Sequence, residues 1–167
     1  MPSNFDDDNS ISPMTMHGRD WPSLRQFCVF MENRVGRLHD LLRQLEQHDL
    51  RIVALSIVDS VDFAVARIMA SDSDRAREIL SMTGFTVMEN DILGVELPEE
   101  ADPFGTIFRP LVAAEFNISY TYPLLYRRSR HGAIAIYVDN IDAARQVLLD
   151  QGQHLLTEND LLADEFF

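Results

Sequence analysis

The feature that most constrains this chain is an internal repeat. Gly36 and Gly105 stand 69 residues apart, Asp72 and Asn140 stand 68 apart, and Gly84 and Gly152 also 68. E-N-D-I-L from Glu89 recurs as E-N-D-L-L from Glu158 at a spacing of 69. The match is closest between D-R-A-R-E-I-L-S-M-T-G from Asp74 and D-A-A-R-Q-V-L-L-D-Q-G from Asp142. Helix starts, helix stops and strand edges that recur together mean two copies of one small unit, each solving the same packing problem with the same local signals. The boundary falls near Asn90 to Ile92. It divides the chain into a tail over residues 1–22, a first unit over 23–91 and a second over 92–167.

Within the first copy, Leu24 to Met31 reads as a strand with apolar residues on both faces. Leu38, Leu41, Leu42 and Leu45 then fall at i, i+3, i+4 and i+7, the stripe of an amphipathic helix that ends near Gln47. Ile52 to Val58 and Phe63 to Met69 form a hairpin around the polar turn Asp59-Ser60-Val61-Asp62. Asp72 supplies an N-cap for a helix from Ser73 to about Thr83, Gly84 stops it, and Phe85 to Met88 is a fourth strand. The order β-α-β-β-α-β predicts an α+β fold of two ferredoxin-like repeats, each a four-stranded antiparallel sheet with two helices on one face. The other face of such a sheet is expected to meet water. Yet Phe27 and Val29 alternate with Cys28 and Phe30, and Ala133, Ala135 and Tyr137 alternate with Ile134, Ile136 and Val138. Something must cover that face, either the other copy or a second chain in a homodimer.

Charge narrows the partners. The 27 acidic residues oppose 14 basic ones, all arginine and scattered along the chain, for a formal net charge of -13. That field repels nucleic acid and anionic membrane surfaces. No run approaches the ~20 apolar residues of a membrane span, and the N-terminus lacks the pattern of a secretion signal, so the sequence predicts a cytoplasmic protein. Residues 1–22, rich in Asp, Ser, Asn and Pro, predict a mobile acidic tail. Cys28 in its strand-like run reads as a buried thiol, and His17, His39, His48, His131 and His154 lack the spacing of zinc ligands. No catalytic residue, cofactor or metal is expected. Tyr120, Tyr122 and Tyr126 mark one strand face suited to interface packing.

In each copy the first strand runs into a glycine turn that opens a helix, as in F-C-V-F-M-E-N-R-V-G-R-L over Phe27 to Leu38. Backbone N–H groups at a helix start lack intrahelical partners and carry partial positive charge, so such a turn makes a notch for an anion. These turns, with A-L-S-I-V-D-S-V-D-F from Ala54, G-F-T-V-M-E-N-D-I-L from Gly84, A-D-P-F-G-T-I from Ala101 and F-N-I-S-Y-T-Y from Phe116, resemble the segments of ACT domains. These are small regulatory modules that bind amino acids. The resemblance covers about Arg25 to Leu162. It departs from the family at the proline usual before the turn glycine, where this chain has Val35 and Phe104.

The resemblance implies modules paired side by side, with the effector at their interface. It would be held by the strand 1 to helix 1 turn of one module and the start of strand 2 of the other. In this sequence that implies a site of Asn33, Val35, Gly36, Arg37 and Leu38 with Asn117 and Ile118. A second, more acidic pseudo-site would use Asp102 and Gly105 with Asp49 and Leu50, distorted by Pro110 in the second helix 1. Turn amides would hold the ligand's carboxylate, and asparagine or backbone carbonyls its ammonium. One of the two sites is expected to work, with a free amino acid as partner in a homodimer. Two other roles stay open here: a regulatory subunit of an amino-acid biosynthetic enzyme, similar to the small subunit of acetolactate synthase, and a purely structural oligomerisation module.

Overall fold

The structure, a computed structural model, describes residues 18–166. In chain order its elements are β1 (Leu24–Glu32), α1 (Arg37–Gln47), β2 (Ile52–Asp59), β3 (Phe63–Ala70), α2 (Ser73–Ser81), β4 (Thr86–Glu96), α3 (Pro103–Ala113), β5 (Ile118–Leu124), β6 (Ala133–Val138), α4 (Ile141–Asp150) and α5 (Glu158–Asp164). The α+β class and the tandem ferredoxin-like order are those of the sequence reading. Leu41 and Leu45 of the leucine stripe pack with Ala76, Ile79 and Leu80 of α2 onto Phe27, Val29, Ala66 and Ile68 of β1 and β3. Asp72 caps α2 by accepting the N–H of Arg75 at 3.1 Å. No helix among the described residues is long and apolar enough to cross a membrane.

The strands join in one antiparallel sheet ordered β2-β3-β1-β4-β6-β5. The repeats do not build separate four-stranded sheets, because they share β4. Its first part, Thr86 to Ile92, pairs with β1, and its last part, Leu93 to Glu96, pairs with β6. Val87 therefore packs into the core under α1 and α2, while Leu93 and Val95, on the same face of the same strand, pack into the core under α3 and α4. Both helix pairs lie on one side of the sheet. The helix-free faces consequently lie on the other side, and they close on each other. Leu24, Val53, Met69 and Ile92 from the first repeat meet Tyr122, Leu124, Ala133 and Ala135 from the second in a third core. Where the edges approach, the N–H of Leu125 donates to the carbonyl of Val53 at 2.8 Å. The other copy thus covers much of the apolar second face.

Two details hold this closure. Gly94 faces the third core, and a Cβ there would lie 2.3 Å from Leu24 Cδ1 and 3.5 Å from Leu124 Cδ1, so the glycine lets one leucine from each repeat approach β4. Gln26, fully buried, donates to Asn90 Oδ1 at 3.1 Å and Tyr120 Oη at 2.7 Å and accepts from the Tyr122 hydroxyl. The amide is satisfied only with both repeats in place, since an unpaired buried amide is costly.

The second repeat departs from the first at its end. Where a fourth strand would run there is one bridge, Val95 to Leu155, followed by α5. The segment E-N-D-L-L, a near copy of the strand segment E-N-D-I-L, is helical because of the residue before it. Thr157 accepts the N–H of Asp160 at 3.2 Å while Asp160 accepts the N–H of Thr157 at 2.9 Å, a reciprocal cap. Met88 holds the matching position in the first copy and has no such acceptor. The helix then clasps both repeats. Asp164, fully buried at its C-terminal end, accepts from Arg51 Nη1 at 2.9 Å and from the N–H groups of Arg127 and Arg128 at 3.1 and 2.8 Å.

The tail expectation falls mostly on residues 1–17, which lie outside the described residues, as does His17. Of the rest, Arg19 pairs with Asp74, the Trp21 ring lies 4.9 Å under the Arg145 guanidinium, and Arg145 Nε donates to the carbonyl of Pro22 at 3.0 Å. Cys28 is half-buried, and burial raises its thiol above the ordinary value, as suits a packed thiol.

At the other end of α5, Glu158 is buried against the N–H of Arg25 and the side chain of Ser73. Burial is the main cause that pushes its carboxyl from 4.5 up to about 7. A raised folded value means that the folded protein prefers the protonated form. The stabilisation is complete below about 4.5 and is lost as pH rises through about 7. Denaturant titrations across that range should therefore show the wild type losing on the order of 3 kcal/mol relative to Glu158→Gln as pH rises. A constant difference between the two proteins would contradict the burial of this carboxyl.

Candidate functional site

The turn between β1 and α1 is held by its own hairpin neighbour. The N–H of Asn33 donates to the carbonyl of Asp62 at 3.0 Å and its side-chain amide to the carbonyl of Ser60 at 2.8 Å. Val35 is fully exposed. Gly36, at φ +91°, sits at the N-cap position, and a Cβ there would meet nothing within 4 Å. The glycine is required by backbone conformation, and the space around it is open. No side chain caps α1, and among the described residues the N–H groups of Leu38 and His39 find no acceptor. The other helices differ: Asp72, Asp102, Asn140 and Thr157 each accept a backbone N–H from their own first turn. Of the five helix starts among the described residues, this one is left open to an external acceptor.

The matching turn of the second repeat is filled. Asp102 accepts the N–H of Gly105 at 3.0 Å and pairs with Arg109. A Cβ on Gly105 would lie 2.1 Å from Asp102 Oδ2 and 2.5 Å from Arg109 Nη2, so these two side chains occupy the notch. The carboxylate is the helix's own cap. The sequence carried that signal, an Asp before Pro103 at the first helical position, beside the reading of Asp102 as a ligand residue. Pro110 does not shorten the helix, which runs on through it to Ala113 and matches α1 in length. A proline at that depth removes one hydrogen bond, to the carbonyl of Thr106, after the first turn is complete.

The starts of the second strands need a shifted alignment. Asp49 and Glu115, at φ +51° and +62°, are the left-handed residues that leave α1 and α3, and β2 and β5 begin at Ile52 and Ile118. The first-repeat counterpart of Asn117 is therefore Arg51, engaged with Asp164 and with the carbonyl of Leu125. The carbonyl of Asp49 accepts from Arg75, and Leu50 is buried in the first core. Asn117 is exposed, its N–H donates to Asp139 Oδ1 at 3.3 Å, and Ile118 packs half-buried on the third-to-fourth helix core. Asn33 and Asn117 are not brought together within one chain. β4 and β6 lie between their strands, and the register separates them by roughly 20 Å along the strand direction alone.

Arg37 turns away from the open notch, with its guanidinium 4.6 Å from the centre of the Phe85 ring. Among the described residues no group of three or more His, Cys, Asp or Glu side chains could hold a metal ion. The contrast between the two turns predicts opposite costs. Asp102→Ala should lose ~1 kcal/mol of stability with its cap. Any change at Gly36 to a residue with a Cβ should cost ~1 kcal/mol through backbone conformation alone. Chemical denaturation measures both, and a neutral Asp102→Ala would contradict the filled notch.

Comparisons with known proteins agree with this architecture. A family model described as ACT domain pair matches residues 23–164. A Bacteroides thetaiotaomicron protein of solved structure is 28% identical, with a TM-score of 0.74 over 84% of this chain and 96% of its own. The ligand-free regulatory subunit of aspartate kinase from Thermus thermophilus, at 10% identity, has a TM-score of 0.50 over 78% of this chain and 93% of its own, a likeness of fold. No curated protein matches the sequence.

Proposed function

The chain belongs to the ACT domain pair family, and from that premise we propose that it is a non-catalytic, cytoplasmic regulator that senses a free amino acid. The carboxylate would lie at the open start of α1, on the N–H groups of Leu38 and His39, with Gly36 leaving room for its approach. The observation that carries this reading is the asymmetry of the turns: α1 has no cap of its own, and α3 is capped and filled by Asp102 and Arg109. A carboxylate is what the second turn already holds, supplied internally. At the first turn the same chemistry is left to a ligand.

Because Asn33 and Asn117 lie far apart in one chain, a site that uses both is an interface between two copies. Asn117 and Ile118 of one copy would then face Asn33, Val35, Gly36 and Leu38 of the other, with Arg37 turned aside onto Phe85. The exposure of Asn117, of Val35 and of Leu55, Ile57 and Val58 on the edge strand β2 supports association of this kind. The pseudo-site of Asp49, Leu50, Asp102 and Gly105 would stay empty, since Leu50 is buried and Asp102 is spent on its own helix.

A thermal-shift screen of the twenty amino acids should identify the effector, because binding to the folded state alone at ~100 times the dissociation constant adds about 2.7 kcal/mol. Calorimetric titration of that amino acid should then show Asn33→Ala and Asn117→Ala each weaker by ~1 to 3 kcal/mol, and Gly36→Val weaker still. Asp49→Ala and Asp102→Ala should bind as the wild type does. Unchanged affinity in Gly36→Val would sink the assignment, and no stabilising amino acid at all would favour the structural role.

A further inference from the structure

A second place in the molecule has the build of a ligand site and is independent of the turn just described. Between α2 and β4 a cavity of about 260 Å³ is walled by Phe27, Leu80, Phe85 and Val87. It shares Phe85 with a cavity of about 300 Å³ between α1 and the α2–β4 loop, lined by Arg37, Asp40 and Arg43. Each is near the small end of the range for ligand pockets, ~300 to 1,000 Å³. The two differ in chemistry. The first is an apolar slot whose charged members, Arg77 and Glu89, neutralise each other in a two-pronged ion pair with Nε at 2.7 Å. The second is polar and cationic.

The cationic half holds donors that lack acceptors. Arg37 Nε is buried without a hydrogen-bond partner, while its guanidinium is fixed over the Phe85 ring at 4.6 Å. Arg43 has no carboxylate within ion-pair distance among the described residues. Asp40 lines the same cavity and reaches Arg37 at 3.6 Å, so two arginines stand against one aspartate and one positive charge is left over. One spare charge suits a monoanion better than a phosphate dianion, and guanidinium geometry suits a carboxylate.

We propose that the adjoining cavities around Phe85 form a second binding site, for a small aliphatic monocarboxylate, with the chain in the slot of Phe27, Leu80 and Val87 and the carboxylate at Arg37 and Arg43. The ligand's two ends match the two halves of the groove. This site requires neither the open start of α1 nor a second copy of the chain.

Titration of the full chain with butanoate, hexanoate and octanoate tests it, with octylamine and octan-1-ol as controls. Affinity should rise about fourfold per added methylene, as each leaves water. Octylamine and octanol should bind at least tenfold more weakly than octanoate. Arg43→Gln should weaken octanoate by at least about tenfold, the scale of one hydrogen bond to a charged group. Ser81→Trp, at the exposed rim of the slot, should abolish the chain-length dependence while its melting curve reports an intact fold. Gly36→Val, which should block the amino acid, should leave octanoate binding unchanged, so the two sites stand or fall separately. The proposal is overturned by non-saturating octanoate binding, by equal binding of octylamine, by indifference to both Arg43→Gln and Ser81→Trp, or by loss of octanoate binding in Gly36→Val.

Discussion

One continuous strand carries the hydrogen bonds of both repeats, and the rest of the molecule follows from that sharing. Side chains alternate along a strand with a period of two, so a strand common to two repeats fixes which face each turns outward. Val87, Leu93 and Val95 are on one face of β4, and both helix pairs are therefore on that side. Ile92 and Gly94 are on the other, where the helix-free surfaces must meet water or each other. They meet each other, because Leu24, Met69, Tyr122 and Ala135 are apolar and a twisted sheet of this length can coil until its edges approach. The Gln26 amide sets the register of that meeting through three partners in both repeats.

The same sharing explains why the second repeat ends differently. A fourth strand there has a neighbour only in the short C-terminal part of β4, and one bridge at Leu155 is what it achieves. The chain then turns under the sheet as α5, buries Leu161 in the central core and reaches Arg51 of the first repeat through Asp164. Buried pairs of this kind contribute little net energy when complete, but they are expensive to leave half-made. The arrangement favours a single relative placement of the repeats over alternatives that would strand the carboxylate.

Much of this was legible in the sequence, and the exceptions have physical causes. Leucine periodicity, the Asp72 cap and the Asp59 to Asp62 turn are local signals, and α1, α2 and the β2–β3 hairpin appear where those signals stand. The repeat was visible as spacing, but sharing of a strand was not. Residues from Asn90 to Glu96 read equally well as the end of one unit or the start of the next. E-N-D-L-L differs by one residue from a segment that is strand in the first copy, and the residue that makes it helical, Thr157, lies just outside the matched segment. For the site, the glycines and the open turn were readable. An aspartate before Pro103 suits a cap and a ligand contact alike, and the two-residue shift that makes Arg51 the counterpart of Asn117 depends on where each helix unwinds, at Asp49 and Glu115.

The proposed function rests on a difference between two nearly equivalent turns. One is closed by its own aspartate, and the other exposes unpaired N–H groups behind a glycine. The most direct measurement is amide proton and nitrogen NMR of the full chain during titration with the stabilising amino acid. The account predicts large, saturable downfield shifts at Leu38 and His39, with Gly105 and Thr106 unmoved. Saturable binding that leaves Leu38 and His39 unshifted would contradict it.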